Sequence, residues 1–206
     1  MVCGIDEAGR GPLAGPVYAA AVILGGNFSC DLLNDSKKLS SDKRDQLQKY
    51  IKDNALAWGI GNSSHEEIDQ INILQAALLA MKRAFEDMQK KLSSSLCDIS
   101  VIVDGNKTPE LEVYGTMLGK VSCTAVVKAD AMIPEVMAAS ILAKTARDYY
   151  MNEMSLLYPQ YGYDRHKGYG TAGHIKAIQK YGHSPIQRKS FKIRDLQIAV
   201  PNNSSY

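Results

Sequence analysis

Carboxylates placed where apolar runs stop are the chemistry-bearing residues of this sequence. Asp6 and Glu7 close the run that begins at Val2, Asp104 closes Val101-Ile102-Val103, and Asp130 follows the run ending at Val127-Lys128. Three separate strands would thus deliver acids at or near their C-terminal ends, the edge where open α/β sheets bind ligands. Acids gathered at one edge repel one another and resist ionising unless cations sit among them. The chain has no Cys/His cluster to favour zinc, so hard, oxygen-preferring Mg²⁺ or Mn²⁺ is the natural occupant. Two such ions about 3.5–4 Å apart suit phosphodiester hydrolysis, in which a water is activated and a leaving oxygen stabilised. The competing reading is structural. Acids at strand ends also cap helices and form turns, and Asp104-Gly105-Asn106 taken alone fits a turn. Asp6 and Glu7 carry a further condition: neighbours in a regular strand face opposite sides, so both reach one site only if the strand bends. Gly9 and Gly11 would permit such a bend.

A second candidate is the loop Gly9-Arg10-Gly11-Pro12-Leu13-Ala14-Gly15. Its glycines let backbone N–H groups approach a ligand, and Arg10 could pair with a phosphate, although such loops also simply turn the chain. A third is the charge distribution. The formal net charge is +2, but from Gln160 to Arg194 eight Lys/Arg (Arg165, Lys167, Lys176, Lys180, Arg188, Lys189, Lys192, Arg194) face Asp164 alone. That segment is therefore +7, which leaves −5 for the rest of the chain. It also carries three of the four histidines and the rings of Tyr161, Tyr163, Tyr169, Tyr181 and Phe191. Basic residues interleaved with rings suit a polyanion that offers bases or sugars to stack on, and a solvated basic face is the plain alternative.

The elements that must position these residues are legible from pattern. Strands are expected over 2–6, 17–24, 55–60, 99–103 and 123–128, each an apolar or β-branched run bounded by turn residues. Ser40 or Ser41 can cap a helix from about Asp42 to Asp53. Ile68, Ile71, Leu74, Leu78, Met81, Phe85, Met88 and Leu92 step by three or four, which predicts a long amphipathic helix from Glu66 to Leu92. Pro134 suits the first turn of a helix reaching about Leu157, and Thr171 can cap a short one that Gly182 ends. Strands early, a mixture in the middle and helices last indicate an α/β fold with a helical C-terminal part.

The 206 residues fit one domain spanning 1–206, with residues 160–194 as its basic segment and the tail 201–206, PNNSSY, as disordered. No apolar run approaches eighteen residues, and the start has no signal-peptide pattern, so a cytoplasmic protein is expected. The four cysteines, Cys3, Cys30, Cys97 and Cys123, lie far apart and are read as reduced thiols. Arg147 and Asp148 read as structural partners, Trp58 as core and His166 as a solvated loop histidine.

The segments GIDEAGRGPLAGPV, NDSKKLS, EEIDQINILQAALLAM, VIVDGN, VVKAD, AASILAKTARD and YPQYGYDRHKGYGT follow one another in that order. Together they resemble the type 2 ribonucleases H, and within them the bacterial ribonuclease HII family, from Gly4 to about Phe191. The resemblance implies a ribonuclease H-like mixed β-sheet flanked by helices. It implies an endonuclease that cuts the RNA strand of RNA–DNA hybrids and at single ribonucleotides in duplex DNA, leaving 5′-phosphate and 3′-hydroxyl ends. Four metal-binding catalytic carboxylates are implied at Asp6, Glu7, Asp104 and Asp130. A junction-reading site is implied at Gly9, Arg10, Gly11 and Tyr169, which would detect the 2′-OH of the ribonucleotide preceding DNA. Lys37, Lys38, Ser140 and Lys144 fall on motif positions near the substrate backbone. A monomer acting in DNA replication and ribonucleotide excision repair is the expected state. Two departures stand out: Ala129 where the family usually has glycine before the fourth acid, and Gln187 where a late motif usually has histidine. The rivals are a non-catalytic nucleic-acid-binding module and a DNA-directed nuclease or transposase of the same fold. Four acids facing phosphate argue against the binder. A type 3 ribonuclease H carries an extra N-terminal domain, which is not expected here because the first acid is residue 6.

Overall fold

The computed structural model describes residues 1–33, 41–92, 97–113 and 118–193. Lys37, Lys38, Arg194 and the 201–206 tail lie outside the described residues. In chain order the elements are β1 (Val2–Ala8), β2 (Val17–Leu24), α1 (Ser41–Asn54), β3 (Ala55–Ser63), α2 (His65–Lys91), β4 (Cys97–Asp104), β5 (Leu118–Val126), α3 (Pro134–Leu157), α4 (Tyr163–His166) and α5 (Ala172–Tyr181). Short 3₁₀ turns form at Ala129–Ala131 and Pro159–Tyr161. The sheet runs β3-β2-β1-β4-β5. Strands β3, β2 and β1 are antiparallel neighbours, whereas β4 and β5 run parallel to β1. This is the mixed sheet flanked by helices that the sequence led us to expect.

Alternation along the strands makes two apolar faces. Cys3, Ile5, Val17, Ala19, Ala21, Val101 and Val103 meet Ala76, Ala80, Ala84, Phe85 and Met88 of α2 on one side. On the other, Ala20 and Val22 meet Leu47 and Ile51 of α1 and Ala138, Ala139, Leu142 and Ala143 of α3. Each fully buried large apolar side chain contributes about 1.5–3 kcal/mol relative to exposure. A third cluster, Ala14, Met151, Tyr161, Tyr163, Ala177 and Ile186, ties the C-terminal helices to the β1–β2 loop.

Two close approaches set the helix positions. A Cβ on Gly4 of β1 would lie 2.2 Å from the Glu135 carbonyl carbon, so α3 passes directly over that strand. Gly59 of β3 meets α2 in the same way, 2.2 Å from Ala84 O. Helix α2 begins with a capping box at Ser64 and Glu67 and is interrupted at Asn72, whose φ is 65°. The Asn72 side chain restarts it by accepting from the N–H groups of Leu74 and Gln75. Among the described residues no helix is long and apolar enough to cross a membrane.

Candidate active site

Parallel pairing of Gly4 with Ile102 and Ile5 with Val103 carries the next residues, Asp6 and Asp104, to the same edge of the sheet. Beyond β5 the chain turns through Lys128, at φ 62°, into the 3₁₀ turn that holds Asp130. The Ala129 N–H donates to Asp104 Oδ1 at 2.8 Å and so locks this turn against β4. Ala129 itself does not need positive φ, which explains why alanine is accommodated there. One carboxylate oxygen from each of Asp6, Asp104 and Asp130 lies within 4.8 Å of the other two. Asp6 is only 6% exposed, and burial pushes its carboxyl up to about 8. Ser140 of α3, by hydrogen bonding, opposes the shift, and the charges of Glu7 and Asp104 add to it.

Glu7 stands beside this triad and is not part of it. β1 stays paired with β2 through Glu7↔Ala19 and Ala8↔Tyr18, and Glu7 still lies near enough for its charge to act on Asp6 and for that of Asp104 to act on it. Glu7 instead takes an ion pair from Arg10 at 3.3 Å, yet its other oxygen, Oε2, is buried without a hydrogen-bond partner. Burial raises its pKa, and the charge of Asp104 acts in the same direction. Three clustered carboxylates, one of them driven toward neutrality, and an orphaned fourth oxygen fit a hard cation.

Tyr169, 46% exposed, lies over the loop, with its ring 3.6 Å from where a Cβ on Gly11 would sit. The loop and the tyrosine thus share one surface, reached from opposite ends of the chain. Tyr169 is held through its backbone: its N–H donates to His166 O, and its carbonyl accepts from Thr171 N and from His174 Nδ1. His174 is fully buried and stacks on His166 at 4.5 Å, and burial lowers its pKa to about 4.

A family model for ribonuclease HII matches residues 3–194. The chain belongs to the ribonuclease HII family. It is 52% identical to the ribonuclease HII of Treponema denticola over 204 residues, which is 95% of this chain and all of that protein. It is also 52% identical to that of Dechloromonas aromatica, over 93% of this chain and 90% of the relative. Among solved structures it resembles ribonuclease H2 from Pyrococcus horikoshii, with TM-score 0.69, 25% identity and 93% of each chain covered. As a ribonuclease HII it is an endoribonuclease acting on RNA–DNA hybrids. The family is metal-dependent, and the triad Asp6, Asp104 and Asp130 is an acidic group that could hold the metal.

The remaining expected substrate contacts divide. Ser140 reaches Asp6 itself and so acts on an acid of the site. Lys144 forms an ion pair with Asp148 one turn along α3. Two readings need correction. Arg188 was expected within the basic, substrate-facing segment, but it is fully buried and donates to the carbonyls of Gly9, Arg10, Gly15 and Pro16. His166 is not a solvated loop residue, because its two ring nitrogens meet Tyr161 O and Gly168 N. Arg147, read as structural, is 1% exposed, donates to Ala14 O and Pro16 O, and lies 5.9 Å from the Tyr169 ring centre. The two buried arginines and His174 are the parts of the site that sequence reasoning missed. No pattern betrays them, since arginine is ordinarily a surface residue.

Proposed function

We propose that this ribonuclease H cuts at single ribonucleotides in duplex DNA as well as in hybrid tracts, with two Mg²⁺ or Mn²⁺ ions held by Asp6, Glu7, Asp104 and Asp130. The observation that carries the metal assignment is the set of three carboxylates within 4.8 Å, with Asp6 pushed to about 8 and Glu7 Oε2 left unpartnered. Such ions supply Lewis acidity at the phosphodiester and a nucleophilic water at neutral pH. The chain's own residues do the rest. The Glu7 and Ala129 N–H groups donate to Asp6 Oδ1 and Asp104 Oδ1, and Ser140 adds a hydrogen bond to Asp6, contacts that orient the acids before substrate arrives. The 2′-OH is the group that distinguishes RNA from DNA at one position, and it both donates and accepts. Gly9, Arg10, Gly11 and Tyr169 form the exposed surface suited to read it, with Lys144, Lys37 and Lys38 assigned to the strand backbone. Cleavage leaves 5′-phosphate and 3′-hydroxyl ends. On this reading the enzyme works as a monomer in the cytoplasm, removing ribonucleotides during replication and repair.

The test is cleavage of matched duplexes carrying no ribonucleotide, one ribonucleotide or four, by wild type, Tyr169→Phe and Tyr169→Ala. Wild type is expected to cut both ribonucleotide substrates and leave the all-DNA duplex intact. Tyr169→Phe removes one hydroxyl and is expected to lose about 0.5–1.5 kcal/mol in kcat/KM. Tyr169→Ala also removes the ring and is expected to lose far more, mostly on the single ribonucleotide. Cleavage of all-DNA duplex would make the chain a general nuclease. Equal, small losses for Tyr169→Ala on both substrates would place the junction sensor elsewhere.

A further inference from the structure

The β1–β2 loop uses its hydrogen-bonding groups unequally. Gly9 O and Arg10 O accept from Arg188 Nη2 and Nη1 at 2.6 and 3.0 Å. Gly15 O accepts from Arg188 Nε at 2.8 Å, and Pro16 O is shared between Arg188 and Arg147. Ala14 O takes Arg147 Nη2, and Leu13 O takes Gln187 Nε2 and the Arg188 N–H. The N–H groups of Leu13 and Gly15 are bound to Gly168 O and Ile186 O. Among the described residues, none accepts from the N–H groups of Arg10 and Gly11, and both residues are exposed.

Peptide geometry converts this into direction. No peptide bond is cis, and in a trans unit the C=O and the following N–H point opposite ways. A Gly9 carbonyl drawn inward by Arg188 therefore turns the Arg10 N–H outward. The inward Arg10 carbonyl does the same for the Gly11 N–H. Only a guanidinium, with five donors in a fixed plane, can hold four carbonyls of a tight loop at once. Gly9 is seated on the second arginine: at φ 100°, a Cβ there would lie 2.1 Å from Arg147 Nε.

Charge adds to direction. Arg147 and Arg188 feel one another, and no carboxylate among the described residues forms a salt bridge with either. Burial lowers Arg188 to about 9, which leaves it protonated at neutral pH. Two buried positive charges, held by carbonyl oxygens and opposed from outside salt-bridge reach by Asp69 and Asp148, thus lie behind two outward N–H donors. Asp69 of α2 holds the segment in place by accepting from Lys189 N, Ser190 N and Ser190 Oγ.

We propose that Arg188, supported by Arg147, is a positioning residue that aims the Arg10 and Gly11 N–H groups at the phosphate and 2′-oxygen of the junction nucleotide. It also sets buried positive charge behind them. The inference rests on the reading of this loop as the sugar sensor.

Amide hydrogen exchange followed by NMR tests it directly. Full-length Asp104→Asn protein, which should leave substrate uncut, is measured alone and with a duplex carrying one ribonucleotide. The Arg10 and Gly11 amides are expected to exchange near the free rate alone and at least tenfold more slowly with the duplex. Protection in the free protein, or none on binding, overturns the proposal without recourse to any Arg188 variant. Arg188→Lys keeps the charge but loses the fork. We expect kcat/KM on that duplex to fall tenfold or more while Mn²⁺ affinity is unchanged, and wild-type kcat/KM would overturn the positioning role. Wild-type cleavage in the same assay separates the two ideas. If wild type cuts the duplex and the two amides stay unprotected, the positioning role fails and the functional reading stands. If wild type does not cut, both fail.

Discussion

Asp6 is held where its own charge is unwelcome, and that has a measurable consequence for the metal-free protein. Burial moves its carboxyl from 3.8 to about 8, with Glu7 and Asp104 adding to the shift. The folded state therefore keeps a proton that the unfolded chain has released, so stability falls as pH rises between about 4 and about 8. Asp6→Asn keeps the volume and removes the charge. It is expected to abolish cleavage, flatten that slope and raise Tm at pH 8, at about 2–4 °C per kcal/mol for a chain of this size. Thermal melts in EDTA across the window check it, and parallel slopes for the two proteins would show that Asp6 does not titrate there. Asp6 and Asp104 were legible in the sequence because each ends an apolar run, and Asp130 because it closely follows one. Where Glu7 would sit was not, since that depended on whether β1 kept its ladder past Asp6. The buried arginines were least legible of all, because sequence reports a charge and not its depth.

At the scale of elements, the sheet and α2 are so close that glycine is the contact. A Cβ on Gly59 would lie 2.2 Å from both Ala84 O and Met88 N, backbone atoms that no rotamer change can move. Gly59→Ala is expected to cost about 1–3 kcal/mol or more, as overpacking does. A Cβ on Gly26, by contrast, has nothing within 4 Å, so Gly26→Ala is expected to stay within about 0.5 kcal/mol of wild type. Urea midpoints for the two variants decide it, and equal midpoints would mean that α2 shifts freely over β3. Boundaries were legible where period and punctuation coincide: β2 over Val17–Leu24 and α3 over Pro134–Leu157 fall where the pattern put them. β5 did not, running over Leu118–Val126 and not 123–128. Among the described residues it is an edge strand paired with β4 alone, so its first half carries polar residues, and the apolar run ends in the exposed Val127. The α2 stripe reads as continuous in the sequence, but Asn72 interrupts it. The buried positions beyond it are mostly alanines, which a search for large apolar residues passes over.

Across the whole molecule, burial decides which residues express the charge asymmetry of the sequence. Within residues 160–193, Arg165, Lys176, Lys180, Lys189 and Lys192 are exposed, whereas Arg188 is buried and Lys167 is tied to Asn152 and the Asp164 carbonyl. Helix α5 starts three residues after Tyr169 and carries Lys176 and Lys180. Its ten residues span about 15 Å, enough to follow a strand past several phosphates spaced about 3.4 Å along the axis. The helix can therefore extend the substrate-binding surface away from the junction without reading any base. Replacing Lys176, Lys180 and Lys192 with Gln should then weaken binding of hybrid and one-ribonucleotide duplexes by the same factor, whatever their sequence. The slope of log affinity against log salt should flatten by about 0.7–0.9 for each phosphate that is no longer neutralised. Arg188→Lys, acting on the loop, should instead lower cleavage of the junction substrate while leaving that slope as it is, since its charge is kept and never meets solvent. Fluorescence anisotropy between 50 and 200 mM salt distinguishes the two. An unchanged slope in the triple variant would make the basic segment a solvated face and confine substrate binding to the sheet edge and the glycine loop.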